Sequence, residues 1–140
     1  MREQGYEFFD HTADVGIRAE GATLAELLVH LAQGLTELLV EESRIAPRQA
    51  RAIELAADDA QTLALRWLQE LLYWFSVDRF VPAAFSLREA TPSGLRGEVR
   101  GEAFDPARHQ RGREVKAITR HLFQVREAGG RWEGQVIVDI

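Results

Sequence analysis

The sequence predicts an α+β fold: two long helices packed on a mainly antiparallel sheet. Three observations carry that prediction. Residues 23–39 and 59–75 repeat apolar side chains at helical spacing. Residues 81–104 and 117–140 instead alternate with period two. The turns between the alternating segments, Thr91-Pro92-Ser93-Gly94 and Gly129-Gly130, are short ones that join antiparallel neighbours. A chain of 140 residues with 46% hydrophobic and 28% charged residues fits one globular domain spanning 1–140.

Taken in order, residues 6–9 and 15–20 read as short strands around the polar run Asp10-His11-Thr12-Ala13-Asp14, and Gly21 ends the second. Thr23 opens a helix through a Thr-x-x-Glu capping box with Glu26. Leu24, Leu27, Leu28, Leu31, Leu35, Leu38 and Leu39 form one apolar stripe. Glu26, His30, Gln33 and Glu37 fall on the other side, so His30 is expected to face solvent. Pro47 lies in the loop that follows, and 50–57 alternates as a strand. Asp58-Asp59 starts the second helix, whose run LALRWLQELLYWF is apolar nearly all round, as a central helix requires. Trp67, Trp74 and Phe75, at helical spacing, are expected in the core. Residues 81–89 and 95–104 pair as strands. Leu95, Gly97, Val99, Gly101 and Ala103 share one face, where the small residues call for close approach of a helix or another backbone. Residues 105–112 read as a polar loop, 117–126 as a strand, and 132–140 as the last strand.

Composition excludes several classes. There is no cysteine, hence no disulfide and no thiolate metal site. No apolar run approaches the ~20 residues of a membrane span, and MREQGYEFFD lacks the apolar stretch of a signal peptide, so no membrane contact and a cytoplasmic location are expected. The net charge of −5 is uneven: residues 105–126 carry +4 and the rest −9. A basic patch on an acidic protein points to local contact with phosphate or an acidic partner. Among 17 basic residues Lys116 is the single lysine.

Three stretches carry candidate chemistry. Asp10, His11, Thr12 and Asp14 suit a hard divalent cation such as Ca²⁺, Mg²⁺ or Mn²⁺, which takes oxygen ligands. The same residue types also cap turns, and on this stretch alone both readings stand. The ending VIVDI sets Asp139 beside the α-carboxylate of Ile140 on a strand, two negative groups that a cation would relieve. RGREVKAITRH, residues 111–121, gathers Arg111, Arg113, Lys116, Arg120 and His121 without a glycine-rich phosphate loop. Scattered histidines argue against zinc.

Together these stretches resemble the archease family. The likeness lies in DHTADVGI at 10–17, LLYWF at 71–75, VKAITRH at 115–121 and VIVDI at 136–140. Arg120 stands where the family pattern KAxTYH has an aromatic. The resemblance implies a strand–helix–strand–strand module with an insertion, and a non-enzymatic partner of RtcB-type RNA ligases in tRNA splicing and RNA repair. Such a partner promotes guanylylation of the ligase and its multiple turnover. It also implies a divalent cation (Ca, Mg or Mn) held by Asp14, Asp139 and the Ile140 carboxylate, and no organic cofactor. Asp10 and His11 would support that site. Lys116, Arg113, Arg120 and His121 would contact ligase, tRNA or RNA ends, or GTP through the ligase. Two other readings remain: a general chaperone-like adaptor with a structural metal, and a metal-dependent phosphohydrolase with His11 as base.

Overall fold

The structure, a computed structural model, describes residues 4–11, 14–41 and 44–140. Nine strands and two helices are assigned among them. The elements run β1 (Tyr6–His11), β2 (Asp14–Gly21), α1 (Leu24–Leu39), β3 (Val40–Glu41), β4 (Gln49–Ala56) and α2 (Ala60–Asp78). They continue with β5 (Phe80–Thr91), β6 (Gly94–Ala103), β7 (Gln110–Arg111), β8 (Ala117–Ala128) and β9 (Arg131–Asp139). Each paired strand is antiparallel to its neighbour. The strands form three sheets: β1-β2-β9-β8, β4-β6-β5 and the ribbon β3-β7.

Local chemistry explains where the helices start. The Thr23 hydroxyl accepts from the Glu26 N–H at 3.1 Å, and the Asp59 carboxylate accepts from the Thr62 N–H at 2.7 Å. Each satisfies a donor that the first helical turn leaves without a partner. α2 ends at Arg79, which adopts the left-handed conformation at φ 58°. The Gly129-Gly130 turn has φ 60° and 78°, a two-residue hairpin of the kind that follows the twist of its strands.

The leucine stripe of α1 is buried throughout, against β2 and β9 on one side and β5 on the other. α2 packs on β8, β5, β4 and β6, so the helices lie between the four-stranded and three-stranded sheets. Trp67, Trp74 and Phe75 are core residues, as expected. The fully buried Trp67 donates its indole N–H to the Leu28 carbonyl at 2.8 Å and meets the Phe85 ring edge-on, tying α2 to α1 and β5.

The small residues of β6 make the close approach their pattern calls for. A Cβ on Gly97 or Gly101 would fall 2.3 Å or 2.0 Å from a β5 carbonyl oxygen, that of Ser86 or Val81. Two expectations need correction. His30 does not simply face solvent: it is half-buried, and its Nδ1 lies 2.6 Å from the Glu20 carbonyl oxygen. The loop 105–112 is not wholly irregular, because Gln110–Arg111 pairs with Val40–Glu41 just beyond α1. Two-residue strands carry too little alternation to be read from sequence.

Candidate functional site

The larger sheet brings residues far apart in sequence into one row. β1 and β2 form a hairpin in which His11 pairs with Asp14; Thr12, between them, lies outside the described residues. β2 pairs with β9 through Val15 and Val138, so one step further Asp14 stands opposite Asp139. Asp139 pairs in turn with Ala117 of β8, and the Lys116 N–H donates to the Asp139 carbonyl at 2.7 Å. Directly opposed residues of antiparallel strands have Cα atoms about 4.5–5.5 Å apart and side chains on one face. Continued one step, that register puts Asp14 and Asp139 on one face at the sheet end. Both are half-buried, and among the described residues no Lys, Arg or His forms an ion pair with either.

Carboxylate oxygens on one face of neighbouring strands are the donor type that a hard divalent cation takes. Two carboxylates make only part of a coordination shell. Among the described residues no group of three or more His, Asp or Glu side chains is arranged around a common point. Ile140 follows Asp139, half-buried and packed against the core.

The other sequence-predicted residues separate around this row. Asp10 pairs with Val15, one position out of phase with Asp14, and so belongs to the opposite face. There it lines a hollow with Phe8, Glu37, Glu41 and Arg113 against the end of α1. Arg113 is fixed by its N–H, which donates to the Leu38 carbonyl at 2.7 Å. Lys116 is exposed beside Asp139, while Arg120 and His121 are exposed further along β8.

A second polar cluster, absent from the sequence reading, anchors the segment that delivers Lys116. Glu102 is 3% exposed and His109 4%. The Glu102 carboxylate accepts from the Ala46 N–H at 2.6 Å, from the Arg108 guanidinium, and from His109 Nε2 at 3.0 Å. His109 Nδ1 accepts from the Asp105 N–H at 2.8 Å, which places the ring proton on Nε2, facing Glu102. The Arg108 hydrogen bonds, then the Ala46 N–H, hold the Glu102 carboxyl down at about 2. From His109 onward the chain is pinned step by step: β7 on β3, the Gly112 N–H on Leu39, Arg113 on Leu38, and Lys116 on Asp139. No spacing rule would have found this cluster, since its members come from a strand end and two loops and Ala46 contributes only its backbone.

The outer face of the same sheet has its own support. The Phe9 ring covers Gly16, and the Arg18 guanidinium lies 4.2 Å from the Phe9 ring centroid. Arg18 also bonds Gln135 Oε1 and pairs with Glu7 at 3.4 Å. This packing holds β1, β2 and β9 together next to the Asp14–Asp139 row.

Fold and site together define a small α+β protein whose early strand β2 and last strand β9 pair at the middle of one sheet, with two carboxylates and a lysine at its end. The chain belongs to the archease family. It matches the Archease protein family (MTH1598/TM1083) over residues 6–140. It is 37% identical over 139 residues to protein archease of Pyrococcus furiosus, covering 96% of this chain and 98% of the relative. It is 33% identical over 138 residues to protein archease of Sulfurisphaera tokodaii, covering 98% and 99%. The solution structure of Methanobacterium thermoautotrophicum protein 1598 superposes with a TM-score of 0.82 at 30% identity, covering 98% of this chain and 99% of that one. The crystal structure of TM1083 from Thermotoga maritima, described as an archease and possible chaperone, shares the fold with a TM-score of 0.64 at 20% identity, covering 100% and 98%. Among the described residues no helix is long and apolar enough to cross a membrane.

Proposed function

We propose that this protein is a non-enzymatic, metal-binding activator of an RtcB-type RNA ligase in the cytoplasm, promoting guanylylation of the ligase and its multiple turnover in tRNA splicing and RNA repair. The observation that carries the reading is the register of β2 on β9, which sets Asp14 against Asp139 with Lys116 tied to the same residue. Asp14, Asp139 and the Ile140 carboxylate would hold a divalent cation (Ca, Mg or Mn). Bound there, the cation supplies positive charge for phosphate oxygens. His11 shares the row by register, whereas Asp10 would act from the opposite face. The Lys116 N–H donates to the Asp139 carbonyl, so the lysine backbone is fixed next to the proposed ligands. Lys116, Arg113, Arg120 and His121 would meet the ligase, GTP phosphates or RNA ends. Preorganised positive charge lowers the barrier to phosphoryl-group attack without this protein reacting itself.

The test is a ligase guanylylation assay with this protein at catalytic ratio and defined metals. The wild type should stimulate; Asp14→Ala should abolish stimulation while leaving the melting curve nearly unchanged. Wild-type stimulation by the combined Asp14→Ala, Asp139→Ala variant would refute the reading. The description of the Thermotoga maritima protein as a possible chaperone favours a second reading, a chaperone-like adaptor with a structural metal. Protection of unrelated clients from aggregation, with no effect on the ligase, would select it. Turnover of a phosphoester with Mn²⁺ that disappears in Asp14→Ala would make the protein an enzyme instead.

A further inference from the structure

Strand β8 breaks its pairing with β9 once. Thr119 pairs with Ile137 and Gln124 with Gln135, so Arg120, His121, Leu122 and Phe123 face Val136 alone. Phe123 turns inward and is 8% exposed. Leu122 does the reverse: it is 50% exposed and holds φ at 55°. Left-handed backbone is unfavourable for a leucine, and an exposed leucine recovers little by burial. Both burdens fall on one residue, and the surroundings enforce them. The Gln135 side-chain amide donates to the Leu122 carbonyl at 3.1 Å, and its oxygen accepts from Arg18 at 3.2 and 3.3 Å. Arg18 in turn rests on Phe9.

A bulge re-aims side chains, and strained residues persist where the surroundings over-determine them. Here the result is a firmly held aliphatic knob flanked by the exposed Arg120 and His121, on the strand that begins beside Lys116. A nucleic acid offers flat bases for stacking, which leucine cannot do. A protein surface offers an apolar pocket. We propose that Leu122 is a docking knob for a protein partner, filling an apolar pocket rimmed by carboxylates that pair with Arg120. The inference rests on the proposed ligase reading and takes the ligase as that partner.

The experiment is a direct binding titration of the purified protein against the RNA ligase, with melting curves and RNA binding measured in parallel. Leu122→Gly removes the knob and accepts the left-handed backbone freely. It should melt no lower than the wild type and bind the ligase more weakly by roughly fivefold or more, as a buried interface anchor does. Leu122→Asn, also tolerant of that backbone, should lose affinity similarly. A smaller loss in both variants overturns the proposal, as does reduced RNA binding with ligase affinity unchanged. Failure of the wild type itself to bind the ligase overturns the proposed function, and this assignment of partner with it.

Discussion

Replacing Gly16 by alanine tests why the sequence reads Asp14-Val15-Gly16-Ile17. A Cβ at Gly16 would sit 2.2, 2.3 and 2.4 Å from three atoms of the Phe9 ring. Carbon atoms pack at about 3.5–4.0 Å, so the ring must retreat by about 1.3 Å or more. Retreat is obstructed, because Phe9 and Gly16 are direct cross-strand partners and Arg18 covers the ring. Overpacking of this kind costs about 1–3 kcal/mol, while alanine in place of glycine in a strand returns about 0.5–1 kcal/mol. With retreat obstructed the cost falls at about 2–3 kcal/mol, and the net expectation is a loss of about 1–2.5 kcal/mol. At about 2.1 cal/mol/K per residue, that lowers Tm by about 3–8.5 °C for a chain of this length. Calorimetry or circular dichroism melts, with urea titrations, measure it. Phe9→Ala removes the obstruction, so Gly16→Ala should cost at least about 1 kcal/mol less in that background. A Gly16→Ala protein that melts at or above the wild type, or effects that simply add, would refute the argument.

Three further outcomes are expected. Saturating divalent cation should raise the melting temperature of the wild type, by the equivalent of about 2.7 kcal/mol at one hundred times Kd, and a chelator should reverse it. The Asp14→Ala, Asp139→Ala protein should show no such shift. A residue appended after Ile140 turns its carboxylate into an amide and should weaken cation binding, read by the same melts; unchanged affinity would remove Ile140 from the proposed ligands. Glu102 is held near 2, below its unfolded value of 4.5, so its contribution to stability is complete above pH 4.5 and lost as pH falls toward 2. Urea titrations should show Glu102→Gln less stable than wild type at pH 6, with the gap closing across that window.

The local elements were legible because their signals are local. The leucine stripe, the Thr23 and Asp59 caps, the tandem Gly129-Gly130 turn and the alternation of β5, β6, β8 and β9 each lie within a few consecutive residues. The candidate site was half legible. Asp14 and Asp139 stood out as polar groups inside strand patterns, and the basic stretch stood out by charge. Their meeting was implied by the family resemblance and not by the residues themselves, since strand register depends on which faces the core accepts. That register also parts Asp10 from Asp14, two residues that sequence alone had grouped in one motif.

Sequence by itself determined helices, strands, turns and the supply of carboxylates and cations, because periodicity, capping and turn chemistry act over one or two turns of chain. Tertiary structure alone decided three things. β2 lies beside β9, Glu102 closes on His109 and the Ala46 backbone, and Leu122 is pushed outward by a bulge. Each depends on groups brought from elsewhere in the chain: β2 for β9, the Ala46 backbone for Glu102, and Arg18 for the Gln135 that holds Leu122. Hydrophobic burial drives that approach without direction, and the polar contacts then fix which residues meet.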